Sequence, residues 1–245
     1  MNLLDHIHIV LVETSHSGNI GSAARAMKTM GLKHLRLVAP QQPIDEQAEA
    51  LSAGAKDVLD NSQMFATFDD AVADCQLVIG TSARLRHLQS TLIEPRACGE
   101  LAISRTRQGN VAIVFGRERV GLTNEELLKC HYHLNIPTNP EYGSLNLAMA
   151  VQLVSYEIRM AWLADDDLQK KLQNQPLVEY PTSEALAHFF NHTERLYKEL
   201  GFIRNDGVMQ KLRRLYQRAE LETNELNLLR GMLTAAEKAA KRDLN

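Results

Sequence analysis

The sequence predicts an α/β fold, with a mostly parallel sheet covered by helices on both faces and followed by a small helical extension. Three observations predict it. Short apolar runs such as 7–12 (IHIVLV) and 111–115 (VAIVF) have the length and β-branched content of strands buried on both faces. Segments with helical spacing alternate with these runs as far as residue 163, which is typical of a parallel sheet. After Pro181 the apolar periodicity is helical only.

The chain opens as a β-α-β unit. After the run 7–12, five apolar residues recur at helical spacing, namely Ile20, Ala23, Ala24, Met27 and Met30. We expect Asn19 or Ser17 to cap this helix and Gly31 to end it. Residues 34–38 (HLRLV) then predict a second strand, which Ala39 and Pro40 close.

The middle of the chain predicts short helices over 45–52 and 68–74, a strand over 77–80, and a looser polar region over 85–110. Strands at 111–115 and 131–136 flank a helix that begins at Thr123, where Glu126 completes a capping box. The run 134–151 then turns sharply from a strand into an apolar helix. We expect Ser144 and Asn146 on the first helical residues, facing a ligand rather than the core.

Domain boundaries are predicted by a change in composition near residue 165. The run from 165–167 (DDD) to Pro181 is polar and has no periodicity. We therefore expect an α/β domain over 1–164, a linker over 165–181 and a helical extension over 182–245. Three helices are expected in the extension, over 182–200, 208–218 and 222–240.

Composition excludes several classes of protein. The chain is 44% hydrophobic and 23% charged, with a net charge of −3, so any surface that binds nucleic acid must be local. Three widely spaced cysteines fit a reducing cytoplasm and argue against a disulfide framework. The N-terminus lacks the features of a signal peptide, and no apolar run approaches the ~20 residues of a membrane span. We expect a cytoplasmic protein with no membrane contact.

Three polar or glycine-containing loops follow predicted strands, at 81–83 (TSA), 116–118 (GRE) and 137–144. Because the carboxyl ends of parallel strands meet at one edge of a sheet, where open α/β folds bind ligands, we expect these loops to form one pocket. Gly116 would let a ligand approach the backbone. Each loop alone is more simply a structural connection, and Glu118 between Arg117 and Arg119 is more simply a surface ion-pair cluster.

Other kinds of site are weakly supported. The loop 17–22 (SGNIGS) opens a helix after a strand, but it lacks a complete GxGxxG, and no acid that could hold a ribose ends the second strand. The histidine pairs at 131 and 133 and at 188 and 192 have no third ligand cluster, so we expect no metal. No GxSxG elbow of a serine hydrolase is present.

The segment 208–218 is a basic amphipathic helix. It carries four cations and no acid: Lys211, Arg213, Arg214 and Arg218. A solvated bundle helix and a surface that contacts phosphates are equally compatible with this pattern.

Three motifs coincide in this chain: 19–25 (NIGSAAR), 114–122 (VFGRERVGL), and an Ile-Pro pair at 136–137 followed by 144–148 (SLNLA). In order and spacing they resemble the SPOUT superfamily of RNA methyltransferases, in the TrmH-like branch that methylates ribose 2′-hydroxyls. Within that branch nearly the whole chain, including its helical tail, is similar to the bacterial tRNA (cytidine/uridine) 2′-O-methyltransferases that act at position 32 of the anticodon loop.

This resemblance implies a trefoil knot at the C-terminal end of the α/β domain, a rare exception to unknotted chains. It implies a homodimer that methylates tRNA with S-adenosylmethionine bound in the knot. The implied cofactor contacts are Thr81, Ser82, Ala83, Gly116, Ile136, Gly143, Ser144 and Leu145. The implied catalytic residues are Arg25, Asn19, Glu118, Ser144 and Asn146.

The same resemblance implies that Arg25 of one subunit completes the site of the other and takes a large part in activating the hydroxyl. Because a guanidinium stays protonated in ordinary sites, we expect Arg25 to hold a phosphate and stabilise the developing alkoxide rather than act as a base. Ser144 and Asn146 would orient the hydroxyl, and Glu118 would hold an arginine. RNA contacts are expected from six cations: Arg84, Arg86, Lys211, Arg213, Arg214 and Arg218. The rival interpretations are an RNA-binding protein with a decayed pocket and a nicotinamide oxidoreductase.

Overall fold

A single parallel sheet of seven strands forms the centre of the structure, a computed structural model that describes residues 2–82, 91–172 and 178–242. The strand order is β3-β2-β1-β6-β4-β7-β5. The strands are β1 Ile7–Val12, β2 His34–Val38, β3 Gln63–Phe65, β4 Cys75–Thr81, β5 Leu92–Ile93, β6 Asn110–Phe115 and β7 Tyr132–Leu134. All pairs are parallel, which confirms the predicted sheet.

Helices cover both faces of the sheet. In the described part of the chain they are a short 3-10 helix Leu3–His6 and α1 Ser17–Met30, α2 Glu46–Ser52, α3 Lys56–Asp60, α4 Phe68–Val72, α5 Pro95–Arg105, α6 Asn124–Leu128, α7 Leu147–Leu172, α8 Ser183–Glu199, α9 Asp206–Ala219 and α10 Thr223–Arg242. Alternate residues of β1 and β6 face opposite sides, since Ile9 and Ile113 pack with α1, α5 and α7, whereas Val10 and Val114 pack with α4 and α6.

The start of α1 differs from the predicted cap. The cap residue is His16, without a side-chain hydrogen bond, because the amide of Asn19 donates instead to Glu118 at 3.0 Å. The predicted C-cap is confirmed, since Gly31 has a φ of 86° and its N–H donates to Lys28 O.

The described part of the predicted polar region, 91–110, is not a loop, because it contains the eleven-residue helix α5. Its buried face consists mainly of small residues, Cys98, Gly99 and Ala102, so apolar periodicity is weak. Small residues are needed there, since a Cβ on Gly99 would lie 2.5 Å from the carbonyl oxygen of Glu157 on α7. Helix α5 therefore packs by close contact between its backbone and that of α7, and not through a stripe of large apolar side chains.

Helix α7 also differs from its predicted bounds. It begins at Leu147, after Ser144 and Asn146, and it continues through the predicted linker start to Leu172. Asp165 is buried and accepts a hydrogen bond of 2.6 Å from Arg107 Nη2. This contact stabilises α7 at the position where the three consecutive aspartates predicted the start of a linker. The division into domains over 1–164 and 182–245 stays a prediction, as does the knot, because strand order does not record how segments pass through one another.

The three C-terminal helices have an apolar core of their own and pack against the α/β domain. Thr182 caps α8 through a hydrogen bond from Ala185 N, as the sequence predicts for a helix starting there. Glu220, at the end of α9, accepts hydrogen bonds from Arg105 at the end of α5 and from the hydroxyl of Tyr132 on β7. Arg105 also lies 3.9 Å from the ring centroid of Tyr180. This cluster joins the two parts of the chain. None of the described helices combines the length and apolarity that a membrane span requires.

Two histidines, the buried His8 and the partly buried His131, predict that the free energy of unfolding falls as the pH is lowered from 6.5 to about 4. Burial, and for His8 also the charge of Arg36, lowers the pKa of His8 and of His131 to about 4. In this window the unfolded chain binds protons that the folded protein excludes, so folding becomes less favourable. Urea denaturation across the window measures the slope, and it should be shallower in the double variant His8→Gln, His131→Gln. An unchanged slope would contradict the assignment, and the exposed His188→Gln serves as the control.

Candidate active site

A cavity of about 480 Å³ lies at the carboxyl edge of the sheet. Its walls come from the loops that follow β4, β6 and β7, and from the start of α7. These three strands are neighbours in the sheet on the β6-β4-β7 side, so their loops converge as the sequence predicts. The volume is in the range that proteins use for small organic ligands.

Seven of the eight residues predicted to contact the cofactor line this cavity: Thr81, Ser82, Gly116, Ile136, Gly143, Ser144 and Leu145. The eighth, Ala83, lies outside the described residues, as do Arg84 and Arg86. Several further residues line the cavity without having been named as contacts: Phe115, Arg119, Leu134, Thr138, Asn139, Pro140 and Ala150. Three of them, Thr138, Asn139 and Pro140, lie within the predicted loop 137–144, and the others adjoin a predicted loop or lie on the first turn of α7.

The glycine at position 116 lines the cavity and is also required by the backbone itself. A Cβ there would lie 2.2 Å from the carbonyl carbon of Gly121 and from the nitrogen of Leu122. The chain folds back on itself at this point, where Gly121 N donates to Arg117 O at 2.9 Å. The resulting hairpin forms one wall of the cavity, and Gly116 lets it close.

Arg117 holds this wall through two carboxylates. Its Nε donates to Glu13 at 2.9 Å, and its Nη2 donates to Glu126 at 3.0 Å. Burial alone would raise the pKa of Glu126, but hydrogen bonds from Arg117 and Thr123 outweigh it and lower the pKa. The alternative of an ion-pair cluster between Glu118 and its two neighbours is therefore wrong, since the partners of Arg117 are Glu13 and Glu126.

Glu118 joins two of the sequence motifs. Its carboxylate accepts hydrogen bonds from the backbone N–H and hydroxyl of Ser15, at 3.1 and 3.0 Å, and from the amide of Asn19 at 3.0 Å. Burial would raise the pKa of Glu118, but these bonds lower it, so the group stays ionised near neutral pH. Among the described residues its partners lie on the loop before α1 and on the first turn of that helix, and no arginine is among them.

The third motif is connected to the same network. The side chain of Asn146 donates from Nδ2 to Asn19 Oδ1 at 3.0 Å. Its Oδ1 accepts from Ala148 N at 2.9 Å, as a helix N-cap does. Three predicted catalytic residues, Asn19, Glu118 and Asn146, are thus brought together beside the cavity, and Ser144 on its wall is exposed.

Arg25 is the predicted catalytic residue that the chain does not bring to its own cavity. It lies on the exposed side of α1 and is not among the residues that line the cavity. Within the described part of the chain its guanidinium makes no hydrogen bond or ion pair. Arg25 lies two turns into the helix that carries Asn19, where its exposed charge can contact another molecule.

The four cations of α9 differ in exposure. Lys211 and Arg218 are exposed and Arg214 is half-buried. Arg213 instead stacks 4.7 Å from the ring centroid of Phe190, and burial lowers its pKa. Its first role is therefore to pack inside the helical extension, so the expected contact of Arg213 with RNA is less direct than that of Lys211 and Arg218.

Replacing Glu118 with alanine should destabilise the loop before α1. The change removes hydrogen bonds from Ser15 and Asn19, at a cost of about 1–3 kcal/mol if the donors find no water. We expect a lower melting temperature and a weaker ligand affinity of the cavity, measured by thermal unfolding and calorimetry. Glu125→Ala, at a neighbouring exposed carboxylate, is the matched control. Equal stability of the two variants would show that Glu118 does not hold the loop.

The described residues support neither a metal site nor a cysteine nucleophile. In the described part of the chain no group of three or more histidine, cysteine or acidic side chains is placed to hold a metal ion. The three cysteines are buried, and burial raises the pKa of Cys75 and of Cys98 to about 12. They are therefore packed as small apolar groups and not activated as nucleophiles.

The fold and the cavity together define an α/β enzyme domain that binds a small organic molecule between the loops of a parallel sheet. The SpoU rRNA Methylase family matches residues 6–156, and the chain belongs to that family. The C-terminal domain of the tRNA methyltransferase TrmJ matches residues 184–245.

Full-length relatives agree with both matches. A protein of Photorhabdus laumondii called tRNA (cytidine/uridine-2′-O-)-methyltransferase TrmJ is 58% identical over 98% of this chain and 100% of its own. An uncharacterized tRNA/rRNA methyltransferase of Haemophilus influenzae is 65% identical over 96% of each chain. The solved structure of TrmJ from Z. mobilis is 32% identical, covers 94% of this chain and 98% of its own, and has a TM-score of 0.82.

Proposed function

We propose that the protein transfers a methyl group from S-adenosylmethionine to the ribose 2′-hydroxyl of cytidine or uridine at position 32 in the anticodon loop of tRNA. One observation carries this proposal: in a chain 58% identical to a tRNA 2′-O-methyltransferase, two of the three motifs line one cavity at the carboxyl edge of the sheet, and Asn19 of the third motif is hydrogen-bonded to both. A tRNA substrate also places the protein in the cytoplasm.

The cavity fits S-adenosylmethionine in chemical character. Apolar side chains of Leu134, Ile136 and Leu145 offer surface for an adenine ring, while Thr81 and Ser82 offer hydroxyls for the polar parts. When bound, the sulfonium supplies an activated methyl group, so the protein has mainly to align and activate the acceptor. We propose the seven lining residues predicted from the motifs as its contacts.

Activation of the ribose hydroxyl is assigned to groups at the start of α7 and to Arg25. Ser144 and Asn146 precede the helix, whose positive N-terminal end favours a developing alkoxide. The hydrogen bonds from Asn146 to Asn19 and from Asn19 to Glu118 hold this end in place. Arginine stays protonated in ordinary sites, so Arg25 would hold a phosphate and stabilise negative charge rather than act as a base.

An apolar stripe on α7 supports a homodimer. Five exposed side chains recur at intervals of four and three residues: Met149 62%, Leu153 44%, Tyr156 47%, Met160 41% and Leu163 51%. Heptad-like spacing places them on one side of the helix, as at a helix–helix interface. We propose that a second copy covers this stripe and that the partner subunit's Arg25 completes the site.

The experiment that tests this function uses radiolabelled S-adenosylmethionine and an unmodified tRNA transcript. We expect label in a 2′-O-methylated pyrimidine at position 32, identified by nuclease digestion and mass spectrometry. A transcript with 2′-deoxyribose at that position should accept no label. Label on a base, or at another position, would contradict the proposal. Binding of tRNA without any transfer would favour an RNA-binding protein with a decayed pocket.

A further inference from the structure

Tyr142 is the most exposed large hydrophobic side chain among the described residues, at 81%. It lies in the loop between β7 and α7, and residues on both sides of it, Pro140 and Gly143, line the cavity. Tyr142 itself is not among the lining residues, but it lies between two exposed residues that are, so its loop forms part of the rim of the cavity. Leaving an aromatic ring in water forgoes a large gain from burial, so a partner for it is expected.

The loop presents this ring in a fixed position. Tyr142 N donates to the carbonyl of Asn139 at 3.0 Å, and Glu141 N donates to the side chain of Asn139 at 3.0 Å. Thr138 Oγ1 donates to Gly143 O at 3.3 Å, and Pro140 fixes its own φ within the turn. A tyrosine on such a closed turn loses little conformational freedom when a ligand covers it.

Charge at the same rim indicates the chemistry of that ligand. Arg119 is exposed and lines the cavity. It lies on the hairpin that forms one wall, whereas Tyr142 lies on the loop between β7 and α7 that forms another. An exposed guanidinium and an exposed aromatic ring at the mouth of one cavity suit a nucleotide, which has both a phosphate and a flat base.

We propose that Tyr142 is the platform on which a base of the RNA substrate stacks when its ribose reaches the cavity. This inference rests on the proposed function and adds a substrate-positioning residue to it. Single-stranded loops are recognised largely by stacking of unpaired bases on aromatic side chains, and every base has a face that can stack. Tyr142 therefore favours an unpaired loop nucleotide over one held in a helix, whichever pyrimidine it carries.

The first test compares Tyr142→Ala, Tyr142→Phe and Met64→Ala. Met64 is a similarly exposed apolar residue on the edge strand β3, far along the sheet from the cavity. We expect Tyr142→Ala to lower kcat/KM for tRNA by about tenfold to a hundredfold. Affinity for S-adenosylmethionine should be unchanged, Tyr142→Phe should recover most of the loss, and Met64→Ala should match the unchanged protein.

A second test reports stacking without requiring turnover. In Tyr142→Trp, tRNA added together with S-adenosylhomocysteine should quench the new indole emission, measured against the unchanged protein with its single Trp162. A tRNA that is abasic at position 32 should bind with less quenching. The inference is overturned if Tyr142→Ala methylates tRNA normally, or if its only defects are a lower affinity for the cofactor or a changed molar mass in solution. It is also overturned if tRNA binds to Tyr142→Trp and leaves the indole emission unchanged. Quenching in a protein that methylates no ribose would instead refute the proposed function alone.

Discussion

Replacing Arg25 with alanine is expected to lower the rate of methyl transfer by about 10²–10³-fold, the usual cost of removing a group that stabilises charge in the transition state. Affinity for S-adenosylmethionine should stay the same, because the groups assigned to Arg25 are an RNA phosphate and the developing alkoxide and not the cofactor. Single-turnover transfer and calorimetry measure the two quantities separately. Lys28→Ala, at an exposed cation on the same helix that pairs with Asp57, is the matched control. Near-normal transfer by Arg25→Ala would rule out the assigned role.

Complementation between two inactive variants tests whether Arg25 acts across subunits. In Ser144→Trp the bulky ring would fill the cavity, whereas Arg25→Ala leaves the cavity intact. A mixed dimer of the two would contain one open cavity served by an intact arginine from the other chain. We therefore expect the coexpressed mixture to regain activity that neither variant has alone. If Arg25 served its own chain, every site would lack one of the two residues and no activity would return.

Introducing charge into the apolar stripe of α7 should separate the subunits, and methylation should be lost with the dimer. In the double variant Leu153→Asp, Met160→Asp, each substituted residue is already 41–44% exposed, so the single chain should still fold. Two buried carboxylates in each copy would make the interface unfavourable by several kcal/mol. We expect the mass in solution to fall from twice 27.5 kDa to 27.5 kDa, measured by light scattering.

Met64→Asp, which adds a negative charge at an exposed position of the edge strand β3, is the control for the effect of added charge alone. Methylation should fall with dissociation because each cavity would lose the arginine of its partner. Circular dichroism and thermal melting establish whether the separated chains are folded. A folded monomer with full activity would contradict both the dimer and the role of Arg25 across it.

The parallel sheet could be predicted because its central strands are buried on both faces and therefore nearly all apolar. The run 7–12 and the run 111–115 differ from the observed β1 and β6 by at most one residue. The cavity could be predicted because parallel strands place their loops at one edge, whatever the intervening helices do. Neither inference requires knowledge of tertiary contacts.

Features that depend on contacts between distant segments could not be predicted in this way. Helix α5 was missed because its buried face is built from small residues, which suit close backbone packing rather than apolar periodicity. The extension of α7 through Asp165 depends on an ion pair with Arg107, fifty-eight positions away. Glu118 was expected to hold an arginine, yet its partners Ser15 and Asn19 lie on the loop before α1 and on the first turn of that helix, which only the fold brings near.

The contact of Glu220 with Arg105 and Tyr132 has a consequence for how RNA would be captured. It fixes the end of the basic helix α9 to β7, the strand that leads directly into the cavity loop of the same chain. An RNA held by α9 would thus be tethered beside the cavity, and its loop would be presented at an effective concentration on the order of millimolar rather than at its bulk concentration. Even a low affinity of the helical extension for RNA would then suffice for the cavity to be occupied by substrate.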